Sequence, residues 1–250
     1  MPTNAVTIRN EKGNIIGTST SPLSITTEGR TTDPMLEIAK GNVLGTTQVN
    51  KFGANSLITD GTTEDVWDGG GTYTFPTTAD ITHIREAVHD ANDVGATIEV
   101  QGLDINYDLV VQTITLDATT TTVPVALTTP LLRVFRMKVL DTMTLGENLE
   151  LRNVGGGTTY AMITAGNNQT LMAIYTVPNG YTAYITNYYA DGVESIGKEP
   201  KSVDFKLWTK DNMNGYAFQL KHSSASSKGN TRINHNFLPY MKVTEKHDIK

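Results

Sequence analysis

The chain has 250 residues, 38% of them hydrophobic and 7% aromatic, a length that suits one all-β domain with an extension or two small domains. A formal net charge of -6 and a pI near 5.3, with lysines and arginines scattered singly, argue against a nucleic-acid-binding surface. The absence of cysteine excludes disulfides and thiolate metal sites, so burial, strand pairing and oligomerisation must supply the stability.

The start, MPTNAVTIRNEKGN, has no charged segment followed by an apolar run, and no later apolar stretch approaches the ~20 residues of a membrane helix. The expectation is a soluble, leaderless protein with no membrane partner. Residues 1–53 mix short apolar patches, Ala5-Val6-Thr7-Ile8 and Asn14-Ile15-Ile16, with Thr, Ser and Gly in no sustained period, which reads as an extended N-terminal arm. Such a segment buries little by itself and gains order by laying strands along a neighbour. Within it, Pro34 to Gly41 has the residues of a short helix closed by glycine, too short to be stable alone.

Residues 54–250 read as a β-sandwich domain. Asp80 to Val88 fits either a helix capped by Asp80 or a strand rich in β-branched residues. TIEVQGL (97–103) and LVVQTITL (109–116), joined by Asp104 to Asp108, form a predicted β-hairpin. Leu132 to Val139 carries apolar residues on both parities, as a strand covered on both faces does. Leu149 to Arg152, the Gly155-Gly156-Gly157 turn and Tyr160 to Ile163 follow, then Leu171 to Val177 and Tyr181 to Tyr189, joined by Pro178-Asn179-Gly180 as the strongest local hairpin signal. Val203 to Trp208 and Tyr216 to Lys221 form a further antiparallel pair across the turn-rich 210–215. About eight to ten short strands at such spacing predict an all-β, antiparallel β-sandwich of jelly-roll or Greek-key type, its sheet edges protected by the arm. At the end of the chain, alternation resumes in Met241 to Lys250, which reads as a strand cut short.

The stretch EDVWDGGGTYTFP (64–76) lacks the Lys-Ser/Thr of a phosphate loop, and its carboxylates would repel an anion. It reads instead as a glycine turn anchored by Trp67, with Thr72 to Phe75 alternating as a strand. The histidines, His83, His89, His222, His235 and His247, show no zinc-site spacing. Asp90 to Gly95 has part of a calcium loop, but Val94 fills a ligand position and Gln101 stands where the bidentate Glu belongs. No G-x-S-x-G occurs and no carboxylate pair has a reason to be buried together, so no catalytic, cofactor or metal residue is assigned. Tyr181, Tyr184, Tyr188 and Tyr189 could stack on sugars, although aromatics in strands more often pack across strands.

Several separated stretches carry a resemblance: EDVWDGGGTYTFP (64–76), DAND (90–93), TIEVQGLD (97–104), LRVFRMKV (132–139), GGGTTYAMITAGNNQTLMAIYTVPNGYTAYIT (155–186) and VTEKHDI (243–249). From Trp67 onward the chain resembles structural proteins of tailed bacteriophages, a group of virion or capsid-associated proteins of environmental phages. The resemblance implies a non-enzymatic virion component on the outer capsid surface, a cement or decoration protein bridging subunits of the major capsid protein and self-associating as a dimer or trimer. A tail or head-fibre component binding host glycans is the alternative. An enzymatic depolymerase would require clustered carboxylates. In this group one or two more strands are expected after VTEKHDI, whereas here the chain ends at Lys250, by a shorter architecture or by an edge that a partner completes.

Overall fold

The computed structural model describes residues 8–9, 15–17, 33–56, 58–192, 202–226 and 232–250. The chain divides into two compact units, Met1–Asn50 and Lys51–Lys250. In the first, β1 (Ile8–Arg9) pairs antiparallel with β2 (Ile15–Gly17). The apolar patch at 5–7 lies outside the described residues. The predicted short helix is present as α1 (Pro34–Ala39): Asp33 caps it by accepting from Met35 N at 2.9 Å, and Pro34 pre-sets the first turn. Gly41, at φ +76°, lets the chain leave the helix, and Asn42 N reaches back to Glu37 O at 2.9 Å. No residue of α1 is buried.

The second unit contains β3 (Ile81–Glu86), β4 (Thr97–Leu103), β5 (Leu109–Thr115), β6 (Val125–Leu131), β7 (Arg133–Val139), β8 (Leu149–Arg152), β9 (Thr159–Ile163), β10 (Tyr175–Thr176), β11 (Ala183–Ala190), β12 (Asp204–Asp211), β13 (Gln219–Ala225), β14 (Ile233–Val243) and β15 (His247–Ile249). The unit is all-β and sandwich-like, with every described strand pair antiparallel. Ile81 to Glu86, ambiguous in sequence, is a strand: its β-branched residues suit a pleated surface, and Ile81 and Ile84 are buried completely.

The main core lies between a three-stranded sheet, β5-β4-β7, and a four-stranded sheet, β6-β3-β8-β9. Period-2 patterning does the work: Ile98 and Val100 of β4 and Leu149 and Leu151 of β8 are fully buried while their neighbours stay half-exposed. Each such side chain contributes roughly 1.5–3 kcal/mol of burial. The two sheets also meet at their sides. The Gln112 side chain on β5 imitates a ladder, donating to Thr129 O at 2.9 Å and accepting from Thr129 N at 3.0 Å on β6. Along the free edge of β7, Thr170 N donates to Met137 O and Val139 N to Asn168 O, which satisfies backbone groups that an open edge would expose. Gly102 sits at the β4–β7 bulge, where any Cβ would collide with Arg133 O.

The predicted β4–β5 hairpin forms as read, the predicted pair at 203–208 and 216–221 forms with its strands shifted to β12 and β13, and the triple-glycine turn joins the paired β8 and β9. The Pro178-Asn179-Gly180 hairpin does not form. The turn itself exists, with Gly180 at φ +75° and Tyr181 N bonded to Pro178 O, but β10 pairs with β15 and β11 pairs with β14. Leu171–Ile174 is extended but makes no ladder, held by single contacts such as Ala173 N to Val66 O at 2.8 Å. The closing strand β15 is an interior strand, hydrogen-bonded to β10 on one side and β12 on the other in the order β10-β15-β12-β13, and its pairing runs on to Lys250, which exchanges hydrogen bonds with Trp208.

A buried ion pair fastens this second sheet to the sandwich. Arg133 on β7, 4% exposed, donates through Nε and Nη2 to both oxygens of the fully buried Asp248 on β15, at 2.8 and 3.0 Å. Thr176 Oγ1 on β10 adds a 2.6 Å bond to the same carboxylate, and Arg133 also donates to the carbonyls of Pro76 and Leu132. The guanidinium lies against Phe75 and Tyr107, at 5.3 and 5.7 Å from their ring centres. Removing one partner strands a buried charge, so Asp248→Ala is expected to cost roughly 3–5 kcal/mol in urea unfolding, and Arg133→Met with Asp248→Leu together to cost less than Asp248→Ala alone. A midpoint for Asp248→Ala within error of the parent protein would contradict this.

Candidate functional site

The 64–76 stretch is a structural turn whose donors are already occupied. Glu64 accepts from Gly71 N (3.1 Å), Thr59 N (2.9 Å), Asn55 Nδ2 (2.9 Å) and Thr62 Oγ1 (3.0 Å), which together hold its carboxyl down to about 2. A side-chain carboxylate therefore takes the place an external anion would need. Gly70 and Gly71 sit at φ +66° and +64°, and a Cβ on Gly69 would overlap the Trp67 ring, so the loop lies flat over the indole as expected. Trp67 meets Tyr73 edge-on at 5.2 Å, and Tyr73 meets Phe75 at 4.8 Å. Thr72 to Phe75 keeps the expected inside-outside alternation but forms no ladder, because Tyr73 N is taken by the Asp65 carboxylate at 2.7 Å. Asp65 in turn pairs with Lys250 Nζ at 3.0 Å, joining the turn to the closing strand.

Residues 51–53, read from sequence as part of the arm, are built into the second unit. Lys51 Nζ donates to Phe135 O, and burial pushes its ammonium down to about 7. A Cβ on Gly53 would strike the backbone at Met172 and Ala173.

The calcium-like loop is closed on itself. Asp90 Oδ1 accepts from Asn92 N (2.8 Å), and Asp93 Oδ2 from Gly146 N (2.8 Å) and Glu147 N (3.3 Å). Among the described residues no group of three or more His, Asp or Glu is arranged to hold a metal. The structure does bring together one carboxyl pair that sequence reading missed, Glu86 and Asp93, both fully buried and in side-chain contact. Burial, reinforced by the neighbouring Asp93, pushes Glu86 up to about 7. Glu86 Oε1 and Asp93 Oδ1 receive no hydrogen bond from any donor, which favours the protonated form of Glu86. The signal in sequence was faint: a charged residue closing the otherwise apolar-spaced Ile81-Ile84 strand.

Of the histidines, His83 contacts Thr82, His89 contacts Thr121, and His247 lies 3.8 Å from Asp211. His222 and His235 alone come together, stacked with ring centres 3.8 Å apart. The tyrosine run is split by the strand pleat. Tyr188 turns inward, its hydroxyl 2.6 Å from His222 Nδ1, while Tyr181, Tyr184 and Tyr189 are 56–58% exposed. In the two-stranded β11–β14 sheet, Tyr184 faces Lys242, Asn187 faces Asn236 and Tyr189 faces Asn234. These six side chains are all exposed, and β14 adds Leu238 (93%) and Tyr240 (49%) where its register slips. This aromatic and amide surface is the most conspicuous outward feature of the described residues of the second unit.

Compared with known proteins, the chain matches no family model, no curated protein and no solved structure. No helix among the described residues is long and apolar enough to cross a membrane.

The Glu86 pair sets a pH dependence. Its folded pKa lies above the ordinary 4.5, so the native state keeps a proton that the unfolded chain has released; the stabilisation is complete below about 4.5 and is lost as pH rises through about 7. The melting temperature should fall between pH 5.5 and 8, and Glu86→Gln, which carries permanent hydrogens, should flatten that slope. An unchanged slope in Glu86→Gln would assign the pH dependence to another group.

Proposed function

We propose that this chain is a non-enzymatic structural component of a bacteriophage virion: a cement or decoration protein on the outer capsid surface, where it bridges subunits of the major capsid protein and associates with copies of itself. The observation that carries the reading is the uncovered apolar surface of residues 33–50. Met35, Leu36, Val43, Leu44 and Val49 are all exposed, Leu44 at 95%, and α1 buries nothing. A short segment that presents its apolar side chains outward gains stability by packing on another protein, as an anchoring arm does. The second unit, with ion-paired sheets and side-chain bonds sealing its edges, supplies the rigidity such a role requires. The stretches that resemble tailed-phage structural proteins run through both the sandwich and the sheet that carries β15.

Quantitative mass spectrometry of purified particles should find this protein at a copy number comparable to the major capsid protein, and deletion of residues 1–50 should leave a folded body that no longer binds particles. A few copies per particle, or full occupancy by the truncated body, would remove the cement reading. The cut belongs before Lys51, because Lys51 and Gly53 pack into the body.

The outer face of the β11–β14 sheet favours a second reading, a fibre-like component that binds host glycans. Tyr184 and Tyr189 offer flat apolar rings, and Asn187, Asn234 and Asn236 offer paired donors and acceptors beside them, a combination suited to sugar faces and hydroxyls. On this reading a glycan array shows saturable binding that Tyr184→Ala with Tyr189→Ala abolishes while the circular dichroism spectrum is kept. Tyr188 is excluded from the test because it packs inward.

A further inference from the structure

Among the described residues, neither strand of the β11–β14 sheet hydrogen-bonds to a third strand, and two-stranded sheets are marginal in water unless a face is packed. Its inner face is packed by one aromatic cluster. Tyr188 of β11 and His235 and Phe237 of β14 close around His222 of β13, which belongs to the neighbouring sheet. The two imidazoles stack at 3.8 Å with 26° between their planes, Phe237 meets His235 edge-on at 4.6 Å, and the Tyr188 hydroxyl bonds His222 Nδ1 at 2.6 Å.

This geometry suits neutral rings. An uncharged His222 accepts the Tyr188 proton at Nδ1, and two uncharged imidazoles stack without penalty. Two imidazolium rings at the same separation repel each other at close range. The surroundings offer little compensation. On β12, Leu207 stands opposite His222 in the ladder and Lys206 stands opposite Ser223; on β13, Lys221 is bonded to Gln219; on β14, Lys242 lies at the far end of the sheet, and just beyond Ala190 and Ile233, at the near end, the Asp191 carboxylate is engaged by Arg232 at 3.7 Å. Among the described residues no carboxylate is hydrogen-bonded or ion-paired to either imidazole. Burial and the charge of His235 both push His222 below the ordinary 6.5.

We propose that the His222–His235 stack is an acid-operated latch, which holds the β11–β14 sheet against β13 when both rings are neutral and releases it when both are protonated. The sandwich, fastened separately through Arg133 and Asp248, stays folded during release. The proposal is independent of the virion reading, since it concerns the coupling between two sheets of one chain.

Hydrogen exchange read by mass spectrometry tests it, with rates corrected for the intrinsic effect of pH. Between pH 7.5 and 5.0, exchange in 183–190 and 233–243 should accelerate tenfold or more, while 97–115 in the sandwich stays within twofold. His235→Asn, which cannot take the second charge, should show the same exchange in these segments at both pH values, whatever its level. Wild-type segments that do not respond to pH would overturn the latch, as would a His235→Asn protein that opens in acid like the wild type, or acceleration that spreads equally into 97–115.

Discussion

The structure depends on a charge taken out of water. Arg133 and Asp248 lie 115 residues apart, and each would be costly to bury alone. Together they satisfy one another in a two-pronged bond, with Thr176 and the carbonyls of Leu132 and Pro76 filling most of the remaining valence. Through this one contact the sandwich strand β7 is tied to β10 and to the closing strand β15, and Phe75 brings the glycine turn to the same place. A buried pair of this kind is weak evidence for added stability, but it is demanding about position. Its geometry admits one seating of the second sheet on the first.

Other polar contacts follow the same logic. Glu64 draws four donors onto itself and so closes the loop that its sequence might have opened to an anion. Gln112 repairs the gap between two sheet edges, and Thr170 and Asn168 cover a third edge. Each device gives a polar group of the fold its hydrogen-bond partners. Burial beside Asp93 favours the protonated form of Glu86.

Two features face outward: the apolar side chains of residues 33–50 and the aromatic, amide-bearing face of β11–β14. They come from different parts of the chain. The same two-stranded sheet that displays Tyr184 and Tyr189 packs its other face on the stacked His222 and His235.

Sequence by itself determined the local pieces. β4–β5, β8–β9 and β12–β13 were legible because each pair is joined by a short turn whose residues close it, and closing a short loop costs little entropy. The short helix was legible from Pro34 and Gly41, and the glycine turn from Trp67 and its three glycines. Tertiary structure alone decided which strands meet over long distances. Pro178-Asn179-Gly180 makes a good turn, yet Tyr175–Thr176 finds its ladder on β15 and Ala183–Ala190 finds its own on β14, since those edges offer matching rows of donors and apolar neighbours. The same holds for the residues that matter most. Arg133 with Asp248, Glu86 with Asp93 and His222 with His235 are ordinary letters at their own positions, and only burial side by side gives them their chemistry.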